Sequence, residues 1–149
     1  MKIETYREQH FAGLKELWDS SFPDDPPWNR AEVVAPLKSA TQPELFIVST
    51  EPDRVIGAAL AGYDGHRGWL YSVAVAETKR RMGIGSGLVR ELEARLEKLG
   101  CKKINLQVRS LNIALVQFYY SLGYRTNNRI SMGRRIQPWS VDKMDSQAD

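Results

Sequence analysis

Cysteine and histidine are scarce in this sequence, and it contains no long apolar run. Cys101 is the single cysteine, and His10 and His66 are the two histidines. One cysteine permits no internal disulfide, and so few donors argue against a metal site built from cysteine and histidine. No run approaches the roughly 18 apolar residues that a membrane span needs. The charged, alternating start at 1–7 is unlike a signal peptide, so we expect a cytoplasmic protein without a metal.

Length and composition predict one globular domain. The chain has 149 residues, of which 42% are hydrophobic and 26% are charged. These values are close to those of ordinary folded proteins and are too apolar for a disordered chain. We expect a single domain over residues 1–141 and a polar C-terminal tail over 142–149, of the kind that is often disordered.

Charge is distributed unevenly along the chain. Residues 1–76 contain seven Lys and Arg against eleven Asp and Glu, a net charge of −4, whereas residues 77–109 contain nine against four, a net charge of +5. A basic segment can form a nucleic-acid surface, but one centred on a single glycine-rich turn is more typical of a site for a small polyphosphate. The acidic first half suits a cationic partner.

Hydrophobic spacing predicts a mixed α/β fold. The predicted strands cover 2–7, 45–50, 55–63, 69–75 and 103–108, with one or two more within 124–136. The predicted helices begin near Phe11, Arg30, Gly83 and Ile113, the second running to about Leu37 with Asn29 as its N-cap. The third helix, 83–99, is a crossover that makes 103–108 parallel to 69–75. We therefore expect a central mixed sheet, mostly antiparallel with one parallel pair, flanked by helices.

The segment 80–87 carries the clearest chemical signal. It reads Arg-Arg-Met-Gly-Ile-Gly-Ser-Gly and joins a predicted buried strand to the longest predicted helix. Backbone N–H groups at the start of a helix lack partners and the helix dipole is positive there, so this turn is suited to phosphates. The dinucleotide fingerprint fits less well, because Leu88 stands at its sixth position, and the P-loop motif is absent. The alternative is a tight turn that binds nothing.

Two motifs resemble those of the GNAT family of N-acetyltransferases. Residues 80–85 resemble the family's Gln/Arg-x-x-Gly-x-Gly/Ala pyrophosphate motif. About 26 residues later, a second segment of the family is matched by Asn112, Phe118, Tyr119, Leu122, Gly123 and Tyr124. The order of strands and helices also agrees, so the resemblance covers about residues 2–136. It implies an acetyl-CoA-dependent N-acetyltransferase with a parallel strand pair at the cofactor cleft.

The resemblance assigns roles to individual residues. Acetyl-CoA would lie in a gap between the strand ending at Val75 and the strand 103–108, with the backbone of Val73 and Val75 binding the pantetheine arm and thioester. The Val73 N–H would donate to the oxyanion. The pyrophosphate would bind Arg80, chiefly by its side chain, and the backbone of Arg81, Met82, Gly83, Ile84, Gly85 and Ser86. Asn112 would contact the pantetheine arm.

Tyr119 would be the catalytic acid. Thiol and phenol pKa values lie near about 8.5 and 10, so a phenol can donate a hydrogen bond or a proton as the sulfur departs. The alternative is a packed aromatic side chain. The base is less clear, because many relatives carry a glutamate where this chain has Trp69. Asp64 and His66 are candidates for the base, against the alternatives of a turn-former and a solvated loop residue.

The acceptor is expected near the first helix and the Pro-rich loop that follows it, since the resemblance places the acceptor there. Aromatic surface and negative charge are combined in Trp18, Phe22, Asp24, Asp25 and Trp28, which would suit a cationic amine. The alternative is that Trp18 belongs to the core and that the aspartates are solvated.

The resulting hypothesis is direct acetyl transfer to a primary amine of a small molecule or a protein, by a monomer or a homodimer. One alternative is transfer of another acyl group. A second is a non-catalytic acyl-CoA sensor or interaction module, and the missing glutamate favours this second alternative. We expect no membrane partner. We also expect no nucleic-acid partner, because the basic residues flank one phosphate-sized turn without a recognition helix or an aromatic platform.

Overall fold

The computed structural model describes residues 1–136, and the chain divides into two compact units, Met1–Gln107 and the part from Val108 onward. The first unit contains five strands: β1 (Lys2–Thr5), β2 (Phe46–Glu51), β3 (Arg54–Tyr63), β4 (Gly68–Val75) and β5 (Ile104–Leu106). Its helices are α1 (Phe11–Ser21), α2 (Ala31–Thr41) and α3 (Ile84–Lys98). The second unit contains α4 (Ile113–Ser121).

The strands form one mixed sheet in the order β1-β2-β3-β4-β5. Neighbours are antiparallel except β4 and β5, which are parallel. This arrangement confirms the predicted fold class, including the hairpin of β2 and β3 and the crossover through α3.

Helices cover both faces of the sheet in the first unit. On β3, Ala58 belongs to a buried cluster with Leu14 and Trp18 of α1. The adjacent Gly57 faces α3 instead, since a Cβ built on it would lie 3.0 Å from Leu88. Successive residues of a strand point to opposite faces, so α1 and α3 pack on opposite sides of the sheet.

The long helix α3 forms where the spacing predicted it. Its apolar stripe is buried and consists of Ile84, Leu88, Val89, Leu92 and Leu96. Leu99 is its C-cap, and Gly100 follows with a φ of 95°, a backbone conformation that glycine adopts without a steric penalty.

Three predicted details are wrong. Asn29 is not the cap of α2, because residues 27–29 form a short 3₁₀ turn and Arg30, in an extended conformation, takes the N-cap position. The helix also continues past the predicted end at Leu37 to Thr41, and it contains Pro36. Its buried residues are Ala31 and Ala35. Strand β5 is shorter than 103–108, because it pairs with β4 over three residues only.

The final strands predicted within 124–136 are also wrong, since these residues form no strand. Their large apolar side chains, Ile130, Met132 and Ile136, are 89%, 90% and 90% exposed. No buried face therefore selects an alternating strand there. The tail 142–149 lies outside the described residues.

Candidate functional site

The start of α3 leaves backbone N–H groups without partners among the residues that the structure describes. Its N-cap is Gly83, which has a φ of 80°, and no side chain caps the helix. The Gly87 N–H donates to the Gly83 carbonyl over 3.0 Å and is the first to be satisfied within the helix. The N–H groups of Ile84, Gly85 and Ser86 therefore point out of the helix start, where the dipole is positive.

The turn before α3 adds positive charge next to these N–H groups. Arg81 has a φ of 63°, an uncommon conformation for a residue with a side chain. Arg80, Arg81 and Met82 are exposed, so both guanidinium groups are accessible. The preceding Lys79 differs from the two arginines, because its Nζ forms an ion pair with Glu51 over 2.8 Å. That hydrogen bond lowers the pKa of the Glu51 carboxyl.

The strand that leads into this turn has a partly open edge. β4 pairs with β5 only over Gly68, Trp69 and Leu70. Beyond Leu70, the edge of β4 that faces away from β3 has no strand partner within the sheet of the first unit. The resemblance implies the cofactor gap beside this same strand, which ends at Val75.

The backbone of Val75 faces the open edge. The Ala76 N–H donates to the Ile56 carbonyl of β3 over 2.8 Å. Because successive residues of a strand turn their backbone groups to opposite sides, the N–H and carbonyl of Val75 point away from β3. The Arg80 Nε donates to that carbonyl over 3.3 Å. An extended ligand with amide groups can therefore bind along this edge as an added strand.

A β-bulge lies in the middle of β4. Ala58 pairs with Ala74 and Leu60 pairs with Tyr71, so Ser72 and Val73 both lie opposite Ala59. Ser72 has a φ of 51°. Bulges redirect the backbone and are frequent beside active sites, and this bulge includes Val73. Sequence reasoning missed Ser72, because nothing in the Tyr-Ser-Val-Ala segment signals a positive φ.

Gly57 lies between the open end of β4 and the start of α3. It pairs with Val75 on β4. A Cβ at this position would lie 3.1 Å from Ile84, the first residue of α3, and 3.3 Å from the carbonyl oxygen of Ala74. The absence of a side chain at Gly57 therefore allows α3 to begin close to the sheet, next to the open part of β4.

Tyr119 and Asn112 belong to the second unit. The Tyr119 side chain is 6% exposed, and its ring packs edge-on against Phe118 and Tyr124, at centroid distances of 5.0 and 5.6 Å. Burial raises the pKa of Tyr119 to about 12, because it disfavours the phenolate. The Asn112 side chain caps α4 by accepting the Leu115 N–H over 3.2 Å.

Asp64 forms the turn between β3 and β4. Its Oδ1 accepts the N–H groups of His66 and Arg67, each over 2.7 Å. These bonds, chiefly the one from Arg67, lower the pKa of the Asp64 carboxyl. An acceptor already occupied in this way is a poor base, so the structure favours the turn-former over the base at Asp64. The His66 ring is exposed and lies beside Arg67.

The predicted acceptor region is divided between core and surface. Trp18 is 3% exposed and belongs to the core cluster, with Phe22 packed against it. A cavity of about 120 Å³ lies at the end of α1, and its lining includes Trp18, Phe22, Asp19, Asp25 and Arg30. Asp24 is exposed. Trp18 therefore has the core role, while its edge still contributes to a small cavity.

Residues 1–136 contain neither a cluster of metal ligands nor a membrane-spanning helix. In that part of the chain, no three His, Cys, Asp or Glu side chains are grouped as ligands for a metal ion. The helices described there are too short or too polar to cross a membrane.

Comparisons with known proteins agree with this geometry. Residues 11–124 match the acetyltransferase (GNAT) family. An acetyltransferase of Pectobacterium atrosepticum is 36% identical over 138 residues, which cover 91% of this chain and 96% of that protein.

Solved structures show the same fold. Ard1 from Thermoplasma volcanium superimposes with a TM-score of 0.75 at 22% identity, over 85% of this chain and 83% of that one. An aminoglycoside N-acetyltransferase in complex with CoA superimposes with a TM-score of 0.72 at 16% identity, over 91% and 95%. With the family match and the Pectobacterium relative, the open strand edge and the uncapped helix lead to one conclusion: this chain is an acetyltransferase of the GNAT family.

Proposed function

We propose that the enzyme transfers an acetyl group from acetyl-CoA to a primary amine by direct attack of the amine on the thioester. One observation carries the proposal: unpartnered N–H groups at the start of α3 adjoin the open edge of β4. The first feature suits a diphosphate and the second suits an extended chain with amide groups. Acetyl-CoA contains both groups in sequence.

The turn and the first residues of α3 would bind the diphosphate. Backbone N–H groups from Arg81 to Ser86 would donate to its oxygens, and the exposed Arg80 guanidinium would add a charge-assisted contact. The arrangement needs no carboxylate and no metal ion from the described residues. The positive φ of Gly83 supports this role, because it opens the helix start without a capping side chain.

The open edge of β4 would align the pantetheine arm and the thioester. The Val75 backbone would pair with amide groups of the arm, and the Val73 N–H, set by the bulge at Ser72, would donate to the thioester oxygen. As the amine attacks, that oxygen becomes an oxyanion, and a fixed N–H stabilises it more than it stabilises the starting carbonyl. The carbon–sulfur bond then breaks and CoA leaves as a thiolate.

We propose Tyr119 as the acid that protonates the thiolate. With a pKa of about 12, its phenol stays protonated throughout the neutral range and can donate a hydrogen bond to the sulfur as the carbon–sulfur bond breaks. Any proton that it passes to the thiolate would be regained from water. Asn112 would contact the pantetheine arm through the part of its amide that does not cap α4. Because the Asp64 oxygen is occupied, the proton of the incoming ammonium would leave to water or to a base on the acceptor side.

Calorimetry and thiol release test this proposal together. We expect acetyl-CoA to bind with a one-to-one stoichiometry, and free thiol to appear when a panel of primary amines is added. Binding without thiol release on any amine would support the acyl-CoA sensor instead. Absence of binding would contradict both functions.

Replacing Tyr119 by Phe tests the chemical role. We expect kcat to fall about a hundredfold, in line with the loss of a general acid, while the Kd for acetyl-CoA stays unchanged. The neighbouring Tyr120 gives a matched control, because its hydroxyl lies 2.7 Å from Thr126 Oγ1 at the exposed side of α4. Tyr120→Phe should keep kcat within about twofold, and equal losses in both variants would contradict the assignment.

A further inference from the structure

The inference concerns the contact between Arg80 and Val75, and it rests on the proposed function. The Arg80 Nε donates to the Val75 carbonyl over 3.3 Å, on the open edge of β4. An arm that pairs with this edge needs the same carbonyl as its acceptor. The side chain that is suited to the diphosphate therefore donates to an acceptor that the pantetheine arm would use.

We infer that Arg80 makes the enzyme selective for thioesters that carry a diphosphate, by releasing the Val75 carbonyl only when a diphosphate attracts its guanidinium. In the free chain, Arg80 competes with the arm for the strand edge. A diphosphate at the turn offers the guanidinium a charged partner, which forms a stronger hydrogen bond than a neutral carbonyl does. The carbonyl is then free to accept an amide N–H of the arm.

The surroundings of Arg80 support a movable side chain. The residue is exposed and lies in an extended conformation between a 3₁₀ turn and Arg81. Its side chain has no ion pair among the residues that the structure describes. The preceding Lys79 differs, because its Nζ is held by Glu51 at 2.8 Å and cannot move to the edge without breaking that ion pair.

The places of Val75 and Arg80 in the chain bring the two competing contacts close together. Val75 is the last residue of β4, and Arg80 is the first residue after the 3₁₀ turn that follows it. The four residues between the two partners bring the Arg80 side chain back to the carbonyl in front of the turn. A diphosphate bound by Ile84, Gly85 and Ser86 would therefore be within the same short stretch of chain as the contact that it replaces.

The inference predicts opposite effects of Arg80→Ala on two acyl donors. For acetyl-CoA, we expect kcat/KM to fall at least tenfold, because a charge-assisted contact is lost. For S-acetyl-pantetheine, which lacks the phosphates, we expect kcat/KM to rise about two- to fivefold, because the competing hydrogen bond is removed. Lys98→Ala is the matched control, since it removes one positive charge at the far end of α3, the helix that follows Arg80, and it should change neither value by more than about twofold.

Added inorganic pyrophosphate gives a second measurement. In the unmodified enzyme, pyrophosphate should lower the KM for S-acetyl-pantetheine by about two- to fivefold, and by linkage the thioester should tighten pyrophosphate binding equally. In Arg80→Ala, this coupling should disappear. The Arg80 Nε–H signal in ¹H–¹⁵N spectra should shift with pyrophosphate in the unmodified enzyme.

The outcomes separate the inference from the proposed function. If Arg80→Ala weakens acetyl-CoA binding but leaves S-acetyl-pantetheine kinetics and the pyrophosphate coupling unchanged, Arg80 is a phosphate contact only and the inference is wrong. If the unmodified enzyme binds neither acetyl-CoA nor pyrophosphate, the proposed function itself is wrong. A loss with both donors would also overturn the inference, since competition requires a gain with the phosphate-free donor.

Discussion

The turns at the two ends of β4 differ in whether one of their own side chains accepts their backbone N–H groups. The turn before β4 contains Gly65 with a φ of 90°, and the turn after it contains Gly83 with a φ of 80°. In the first turn, the Asp64 carboxylate accepts two N–H groups. In the second, the N–H groups at the start of α3 have no such acceptor among residues 1–136.

The difference shows that a glycine turn does not by itself indicate a ligand. What distinguishes the second turn is the absence of an internal anion where the backbone presents several donors. The first turn supplies its own carboxylate and is complete. The second turn, flanked by two exposed guanidinium groups, is suited to an external anion.

The largest effect is expected when the second turn receives a carboxylate of its own. Ser86→Asp places a negative charge in the first turn of α3. Two unit charges about 5 Å apart repel by about 3 kcal/mol at an effective dielectric constant of about 20, so acetyl-CoA affinity should fall about a hundredfold. The helix dipole should stabilise the variant by about 0.3–1 kcal/mol. Calorimetry and the Tm measure the two opposite changes.

Ser86→Asn is the control for that variant, because it has a similar size without the charge. We expect it to retain most of the affinity. Equal losses in the two variants would show that the side chain blocks the site by volume, and the comparison of the two turns would then not depend on charge.

A smaller effect is expected from the bulge between the two turns. Ser72→Val forces a β-branched side chain into a positive φ, at a cost of about 1–3 kcal/mol. If the bulge moves, the Val73 N–H turns away from the oxyanion, and kcat should fall about tenfold or more. Ser72→Gly is the control, since glycine accepts this φ, and it should keep kcat while raising the Tm slightly. An active Val variant would contradict the role of the bulge.

The smallest effect is expected when the first turn loses its charge. Asp64→Asn keeps an acceptor oxygen but removes the carboxylate. The folded pKa of Asp64 lies below its unfolded value, so its contribution to stability is present above about pH 4 and is lost as the pH falls through the folded pKa. Thermal unfolding of both proteins between pH 7 and pH 2 should show a Tm difference that shrinks with acid. An altered pH profile of kcat near neutrality would instead make Asp64 the base.

Much of the fold could be predicted because its hydrophobic periods are unambiguous. The stripe of α3 and the two halves of the β2–β3 hairpin are examples. The end of α2 could not be predicted, because Lys38, Ser39 and Thr41 offer no apolar period, although the helix continues to Thr41. Residues 124–136 misled the prediction, since isolated apolar residues such as Ile130 and Met132 resemble a strand pattern although they remain exposed.

The candidate site was predictable where residue types carry the chemistry. Gly83, Arg80 and Arg81 predicted the turn. The structure places them at a helix start without a capping side chain. Ser72 could not be predicted, because its conformation depends on the register between β3 and β4. The roles of Val73, Val75, Asn112 and Tyr119 stay predictions until cofactor binding is measured.

Gly57 limits which substitutions this enzyme tolerates in its interior. One extra methyl group there would press on the first residue of α3 and on the carbonyl next to Val75. The Ile84 and Leu88 side chains would have to give by a few tenths of an ångström. If α3 moved with them, the N–H groups at its start would move away from the strand edge. The distance between the start of α3 and the open edge of β4 thus depends on a residue inside the protein that has no side chain.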